Sequence, residues 1–248
     1  MRTAPAFVLS ALVLAPAAAV MADTITQWNF SLPTGANNSP APSIGAGSAT
    51  PVGMNGDANN ADILANAGSS DPDNNLAWRI RGSISNGWSG STQLLSGARF
   101  NASTAGFQSI AVTFDLFATD GSPRHGQFQY TTDGSTFVSF GDILDFNPGD
   151  RWFNTIAFDL SSIPGASDNP LFGFRVVSAF SPVEFTNANG LQPANSAFQR
   201  ANAGPQVYNG TAGNWRFDMV TFSGSVIPTP GAAGLMVFAG LAALRRRR

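Results

Sequence analysis

The sequence predicts an all-β body, a two-sheet antiparallel sandwich of jelly-roll type, lying between two short hydrophobic ends. Two local observations predict it. Apolar and polar residues alternate in repeated short runs from Leu76 to Phe222, and turn residues separate nearly all of those runs. A third is one of scale: 248 residues, 43% of them hydrophobic, can bury a full core, and one sandwich would use the whole length.

The first element is an apolar stretch from Ala4 to Ala19 behind Arg2, followed by Val20-Met21-Ala22. A minimal positive start, a short apolar core and a small-residue end are the parts of a secretory signal, so signal peptidase should cut between Ala22 and Asp23. A permanent N-terminal anchor fits less well, because Pro5 and Pro16 interrupt a stretch of signal-peptide length. Residues 1–22 are thus read as a signal peptide and 23–226 as the body.

A first strand is expected at Thr24–Phe30. Residues 32–75 are rich in Pro, Gly, Asn, Ser and Ala with little periodicity, and are expected to form a long loop with short turns or a helical excursion near Asn60–Asn66. Alternation then takes over. Leu76, Trp78 and Ile80 oppose Ala77, Arg79 and Arg81, and Ile110, Val112, Phe114 and Leu116 oppose Ala111, Thr113, Asp115 and Phe117. Similar runs occupy Gly126–Thr131, Phe137–Phe140, Trp152–Asp159, Leu171–Ser178 and Trp215–Phe222. Asp120-Gly121-Ser122-Pro123, Asp133-Gly134-Ser135, Asn147-Pro148-Gly149-Asp150 and Ile163-Pro164-Gly165 supply the reversals. Eight or nine strands follow. No cysteine pair marks an immunoglobulin-type sandwich, and the first and last strands read as full length, which favours the jelly roll. The aperiodic segment 181–213 is expected as a surface excursion.

The tail, residues 227–248, begins Ile227-Pro228-Thr229-Pro230. Fourteen apolar residues, Gly231 to Leu244, follow, and then Arg245, Arg246, Arg247 and Arg248. As a helix the apolar part reaches about 21 Å, short of a hydrocarbon core of roughly 30 Å. The four arginines should stay on the cytoplasmic side and leave the body outside. Proline-flanked motif, short Gly/Ala/Leu helix and terminal arginine cluster together resemble the PEP-CTERM sorting signal of exosortase-processed bacterial proteins, with Thr229 where that family most often has glutamate. The resemblance implies that Pro228, Thr229 and Pro230 are the recognition motif, that the helix holds the precursor transiently in the inner membrane, that Arg245 to Arg248 stop transfer, and that an exosortase-like enzyme removes the tail. An ordinary C-terminal anchor with a stop-transfer cluster uses the same physics and remains the alternative. Within the body, Tyr130-Thr131-Thr132-Asp133-Gly134-Ser135, Phe158-Asp159-Leu160-Ser161, Phe174-Arg175-Val176-Val177 and Trp215 to Phe222 resemble galactose-binding-like jelly-roll modules. That likeness implies a fold, and a fold alone assigns no ligand.

Charge and cysteine content exclude several functions. The 13 basic residues are all arginine, and removing Arg2 and the terminal four leaves eight against fifteen acids, so the body lacks the cationic cluster that nucleic acid requires. With no cysteine, disulfides, thiol catalysis and Cys-ligated zinc are excluded, and packing alone must hold an exported fold.

No catalytic residue is assigned. His125, the single histidine, cannot build a His-ligated metal cluster and reads as an exposed turn-edge residue. Most Asp residues sit in turns, where they cap backbone amides, and no paired acidic motif shares a strand face, so glycoside hydrolysis is the alternative to a non-catalytic role rather than the expectation. Thr131 to Phe137 is similar to the Asp-box of sialidase propellers but is one residue short and occurs once; a hairpin turn explains it. No cofactor is required, although Asp57–Asp62 and Asp71–Asn75 could donate oxygens to a structural Ca²⁺. Of the aromatic residues that could stack on sugar, Trp152 and Trp215 lie in alternating strands and should be interior or half-buried. Trp88, in a polar turn, and Tyr208, in the long excursion, are the expected exposed candidates. The sequence therefore predicts an exported surface- or matrix-associated protein with a non-catalytic binding or structural sandwich. Its expected partner outside the cell is an extracellular polysaccharide, with a secreted polysaccharide hydrolase or a purely structural matrix protein as alternatives.

Overall fold

Alternation along the chain becomes sidedness in space. From Ile110 to Ala118 every even-numbered residue is buried, Ile110, Val112, Phe114, Leu116 and Ala118, because successive strand residues point to opposite faces and only one face meets the core. The computed structural model describes residues 22–53, 61–65, 67–73, 76–81, 88, 90–211 and 213–228. Among them the strands are β1 (Asp23–Trp28), β2 (Gly35–Ala36), β3 (Ser48–Val52), β4 (Ala61–Ala65), β5 (Leu76–Arg81), β6 (Gly97–Asn101), β7 (Phe107–Ala118), β8 (His125–Thr131), β9 (Val138–Ser139), β10 (Leu144–Asp145), β11 (Arg151–Asp159), β12 (Gly173–Ala179), β13 (Phe185–Asn187), β14 (Gly190–Gln192) and β15 (Asn214–Val226).

Two antiparallel sheets face each other. One runs β11-β7-β15-β5-β4-β2 with β1 also on β15, and the other runs β10-β8-β12-β6-β3 with β9 on β8. The long strands β5, β6, β7, β8, β11, β12 and β15 alternate between the sheets, as the predicted jelly-roll arrangement requires. One side of β15 pairs with β7. Its other side pairs first with β5, through Asn214–Phe217, and then with β1, through Val220–Gly224. Between the sheets runs a chain of rings: Trp28 to Phe100 at 5.5 Å, Phe100 to Phe174 at 5.2 Å, Phe174 to Phe128 at 5.2 Å and Phe128 to Phe158 at 3.8 Å. Offset and edge-on rings of this kind add to simple area burial, and they fill a core that no disulfide braces.

Several expectations are corrected. The segment 32–75 is not mainly loop, since it carries β2, β3 and β4, and residues 61–65 form a strand paired with β5 rather than a helical turn. Its inward residues Ala49, Ala61 and Ile63 are buried but too few and too small to make a run legible by hydrophobicity. Strand β6 was not expected at all. The excursion 181–213 contains the β13–β14 ribbon and sends Phe198 and Ala201 into buried positions. His125 is 2% exposed, not a surface residue. No helix among the described residues is long and apolar enough to cross a membrane. The signal segment up to Met21, Thr229, Pro230 and the tail to Arg248 lie outside the described residues, as do Asp57 to Asn60.

Candidate functional site

The outer face of the six-stranded sheet carries two arginines that no carboxylate among the described residues pairs. In β6 and β12 the residues Ala98, Phe100, Phe174 and Val176 point inward and are buried. The intervening residues must then point out. Cross-strand register lines up Thr50, Arg99, Arg175 and Gln129 in one row over β3, β6, β12 and β8, and Ser139 of β9 continues it. The next row holds Ser48, Asn101, Gly173 and Thr131.

Side chains fix the two guanidinium groups in place. Arg99 donates from Nε to Asn101 Oδ1 at 2.8 Å and from Nη2 to the Gly134 carbonyl at 2.6 Å, and Arg175 Nε donates to Gln129 Oε1 at 2.7 Å. Phe137, carried by the β8–β9 turn, lies against both, with ring centroid distances of 5.0 Å to Arg99 and 4.2 Å to Arg175. That turn is set by Asp133, whose Oδ1 accepts from Ser135 N, Thr136 N and Thr131 Oγ1; these bonds hold its carboxyl far below the usual range. The hairpin reading of this segment therefore stands. Neither arginine forms an ion pair with a carboxylate among the described residues. Partial burial, and then the charge of Arg99 beside it, lower the Arg175 pKa from its ordinary value.

A groove of about 430 Å³ opens beside Arg99, lined by Gly47, Ser48, Asn101, Ser103 and Leu171. Gly173 belongs to its construction: a Cβ there would meet Asn101 Oδ1 at 2.5 Å, so only glycine leaves the Asn101 amide where it holds Arg99. Farther along the same face the surface closes. His125, Ala179 and Val177 share the outward register of Arg175 yet are buried. Backbone bonds from Arg124 N to Gln199 O, Ala201 N to Ser122 O and Ser181 N to Ala197 O bring the 181–213 segment to this end. Burial pulls the His125 pKa down to about 4, opposed by Asp145 and assisted by Arg124, so the ring is neutral at pH 7.

The expected sugar-stacking aromatics are not part of this surface. Trp88 is 3% exposed: its Nε1 donates to Gly213 O at 2.9 Å, its backbone N–H donates to Gly210 O, and its ring lies 4.6 Å from Trp215. Tyr208 packs its ring 5.1 Å from Phe198 and buries its hydroxyl, and desolvation drives the phenol pKa strongly up. Trp215 is buried as expected, and Trp152 is half-buried, its Nε1 donating to Ala67 O at 3.2 Å. Asp23 opens β1, and Ala22 and Pro228 are exposed at the two ends of the body.

The other sheet carries the acidic pair that the sequence reading missed. Asp115 of β7 and Asp218 of β15 are register partners on the outward face, yet they are 1% and 0% exposed. All four of their oxygens are used. Asp115 accepts from Ser70 N and from Thr155 N, and Asp218 accepts from Ser69 Oγ at 2.6 Å and from Met219 N at 2.8 Å. Thr155 and Met219 stand at β-bulges with φ of 57° and 48°, so each carboxylate clamps one strained amide while the pair together pins residues 69 and 70. Burial pushes the Asp218 carboxyl up to about 7, against its two hydrogen bonds and with help from the charges of Asp71 and Asp115. Sealed beneath a loop, this pair caps structure and cannot reach a polymer. Of the Asp71–Asn75 cluster, Asp71 Oδ1 caps Asp73 N at 3.0 Å, and no group of three or more acidic or histidine side chains among the described residues is placed to hold a metal ion.

No protein-family model matches the chain, and no curated protein matches it. Among solved structures it is similar to the N-terminal cellulose-binding domain of the Cellulomonas fimi β-1,4-glucanase C, an NMR structure. The two are 12% identical over 82% of this chain and 90% of that one, with a TM-score of 0.22.

Proposed function

We propose that this chain is an exported surface- or matrix-associated binding module whose ligand is an extracellular polysaccharide, held on the outer face of the six-stranded sheet. The observation that carries the reading is the outward row Thr50–Arg99–Arg175, in which Asn101 and the buried Gln129 fix the two guanidinium groups and aim them away from the core. A rigid sheet with preset hydrogen-bonding side chains suits a hydroxyl-rich polymer, because little rotamer freedom remains to be lost on binding. Asp218, whose carboxyl burial pushes up to about 7, is consumed together with Asp115 in holding a loop, which favours binding over hydrolysis.

The two ends supply the address. Residues 1–22 would be removed by signal peptidase between Ala22 and Asp23. Residues 227–248 would lodge briefly in the inner membrane, with Pro228, Thr229 and Pro230 read by an exosortase-like enzyme and Arg245 to Arg248 left inside. Mass spectrometry of the protein recovered from the cell surface tests this: a C-terminus near Pro228 is expected, and retention of Arg248 overturns the sorting proposal in favour of a plain anchor. For the body, a glycan array with a parallel reducing-end assay is decisive. Binding without sugar release is expected; release lost in a single Asp→Asn or Glu184→Gln variant would make the protein a hydrolase instead.

A further inference from the structure

We propose that Arg99 and Arg175 form a carboxylate-binding site, and that the polysaccharide this face takes is acidic, built from uronic-acid residues. The inference rests on the polysaccharide reading above and sharpens it.

Two cations on adjacent strands, directly opposed in register, repel one another unless an anion lies between or beside them. Three arginines of this fold answer that cost with a carboxylate, whereas Arg216, opposite Arg79 in register, rests on Phe117 and Asn214 Oδ1. Arg79 and Arg81 share Asp62, and Arg124 takes Asp145 in a two-bond fork. Arg99 and Arg175 receive neutral carbonyl oxygens instead, from Asn101, Gly134 and Gln129, which orient the forks without cancelling their charge. Asp133 sits next to Gly134 but commits its Oδ1 to its own turn. Phe137 further shields both guanidinium groups from water on one side, which strengthens their pull on an incoming anion. A guanidinium fork matches a carboxylate bidentately, and the flanking Thr50 and Ser48 offer hydroxyl groups for ring hydroxyls, while the Asn101 and Gln129 amides are spent on holding the forks. A uronic acid brings a carboxylate and several hydroxyls on every ring, so one polymer satisfies the whole row. An acidic peptide would supply only the first of these. The remainder of the body is net acidic, so attraction of a polyanion is confined to this pair and falls as salt screens it.

The test uses the full-length protein in non-ionic detergent, with biosensor tips carrying polygalacturonate, carboxyl-reduced polygalacturonate, dextran sulfate or polyglutamate. Polygalacturonate is expected to bind at least tenfold more tightly than its carboxyl-reduced form. Arg175→Gln and Arg99→Gln should each remove most of that preference, and Arg175→Lys should restore only part because it keeps the charge and loses the fork. Thermal melting of each variant verifies that the sheet is intact. Equal binding of the reduced and native polymers would overturn the carboxylate site while leaving a polysaccharide module standing. Tighter binding of dextran sulfate or polyglutamate would overturn the uronate assignment, and failure to bind any of the saccharides here or on the glycan array would remove both readings.

Discussion

The outward carboxylates at the centre of one sheet and the outward arginines at the centre of the other are used differently. On the seven-stranded sheet Asp62 meets Arg79 and Arg81, while Asp115 and Asp218 are buried with every oxygen occupied by the loop above and the bulges beside them. On the six-stranded sheet Arg99 and Arg175 are held by neutral oxygens and face outward beside an open groove. Asp115 and Asp218 close structure, whereas Arg99 and Arg175, like Arg216 against Phe117 on the other sheet, carry a charge that no carboxylate among the described residues matches. The contrast separates the residues that hold the fold from those that meet a ligand, and it can be broken by mutation.

The largest effect should come from Asp115→Ala. It strips the acceptors from Ser70 N and Thr155 N, both in partly buried hydrogen bonds, at about 1–3 kcal/mol for each stranded group, so a loss of about 4 kcal/mol by denaturant unfolding is expected. A loss under about 1 kcal/mol would show that the loop is not held as described. Next comes pH. The folded Asp218 carboxyl titrates near 7 against 3.8 unfolded, so the folded state holds the extra proton between those values, and its contribution falls as pH rises from about 4 to about 7. A shift of this size corresponds to a few kcal/mol. Asp218→Asn should remove that decline.

His125 works in the opposite sense and somewhat more weakly. Its folded pKa, about 4, lies below the unfolded 6.5, so stability is lost as pH falls through that interval. In the wild type the two trends partly cancel. The D218N variant should therefore gain stability as pH rises from 4 to 6.5, whereas His125→Gln should lose it; two flat curves would refute both assignments. The smallest effect belongs to the open face, where Arg175→Gln should change unfolding free energy by no more than about 0.5 kcal/mol. A cost near that of Asp115→Ala would mean that the arginine row is structural and the comparison of the two faces false.

Much of this architecture was legible in the residues, because long alternating runs such as Ile110 to Phe117 leave little freedom about which side faces the core. Strands β3, β4 and β6 were not, since their inward positions are an alanine with one Pro, Ile or Phe respectively, and tertiary pairing rather than hydrophobic pattern defines them. Missing β6 meant missing Arg99. The signal was present in Ala98-Arg99-Phe100, which has the same alternation as Phe174-Arg175-Val176, but two residues per face are too few to read alone. Trp88 misled for a related reason: its polar neighbours report only the local turn, whereas its burial depends on Gly210 and Gly213, more than a hundred residues downstream. Asp115 and Asp218 could have been singled out, being carboxylates inside strands in a chain whose other acids mostly sit in turns.

The last strand of the body has a consequence for how the protein is made. β15 joins β7 on one side to β5 and β1 on the other, so the seven-stranded sheet lacks its middle until Val226 has been synthesised. A ribosome-bound chain still short of that point holds β1, β5 and β7 without their shared partner and cannot close the sandwich. Completion of the fold therefore awaits the arrival of the residues up to Val226.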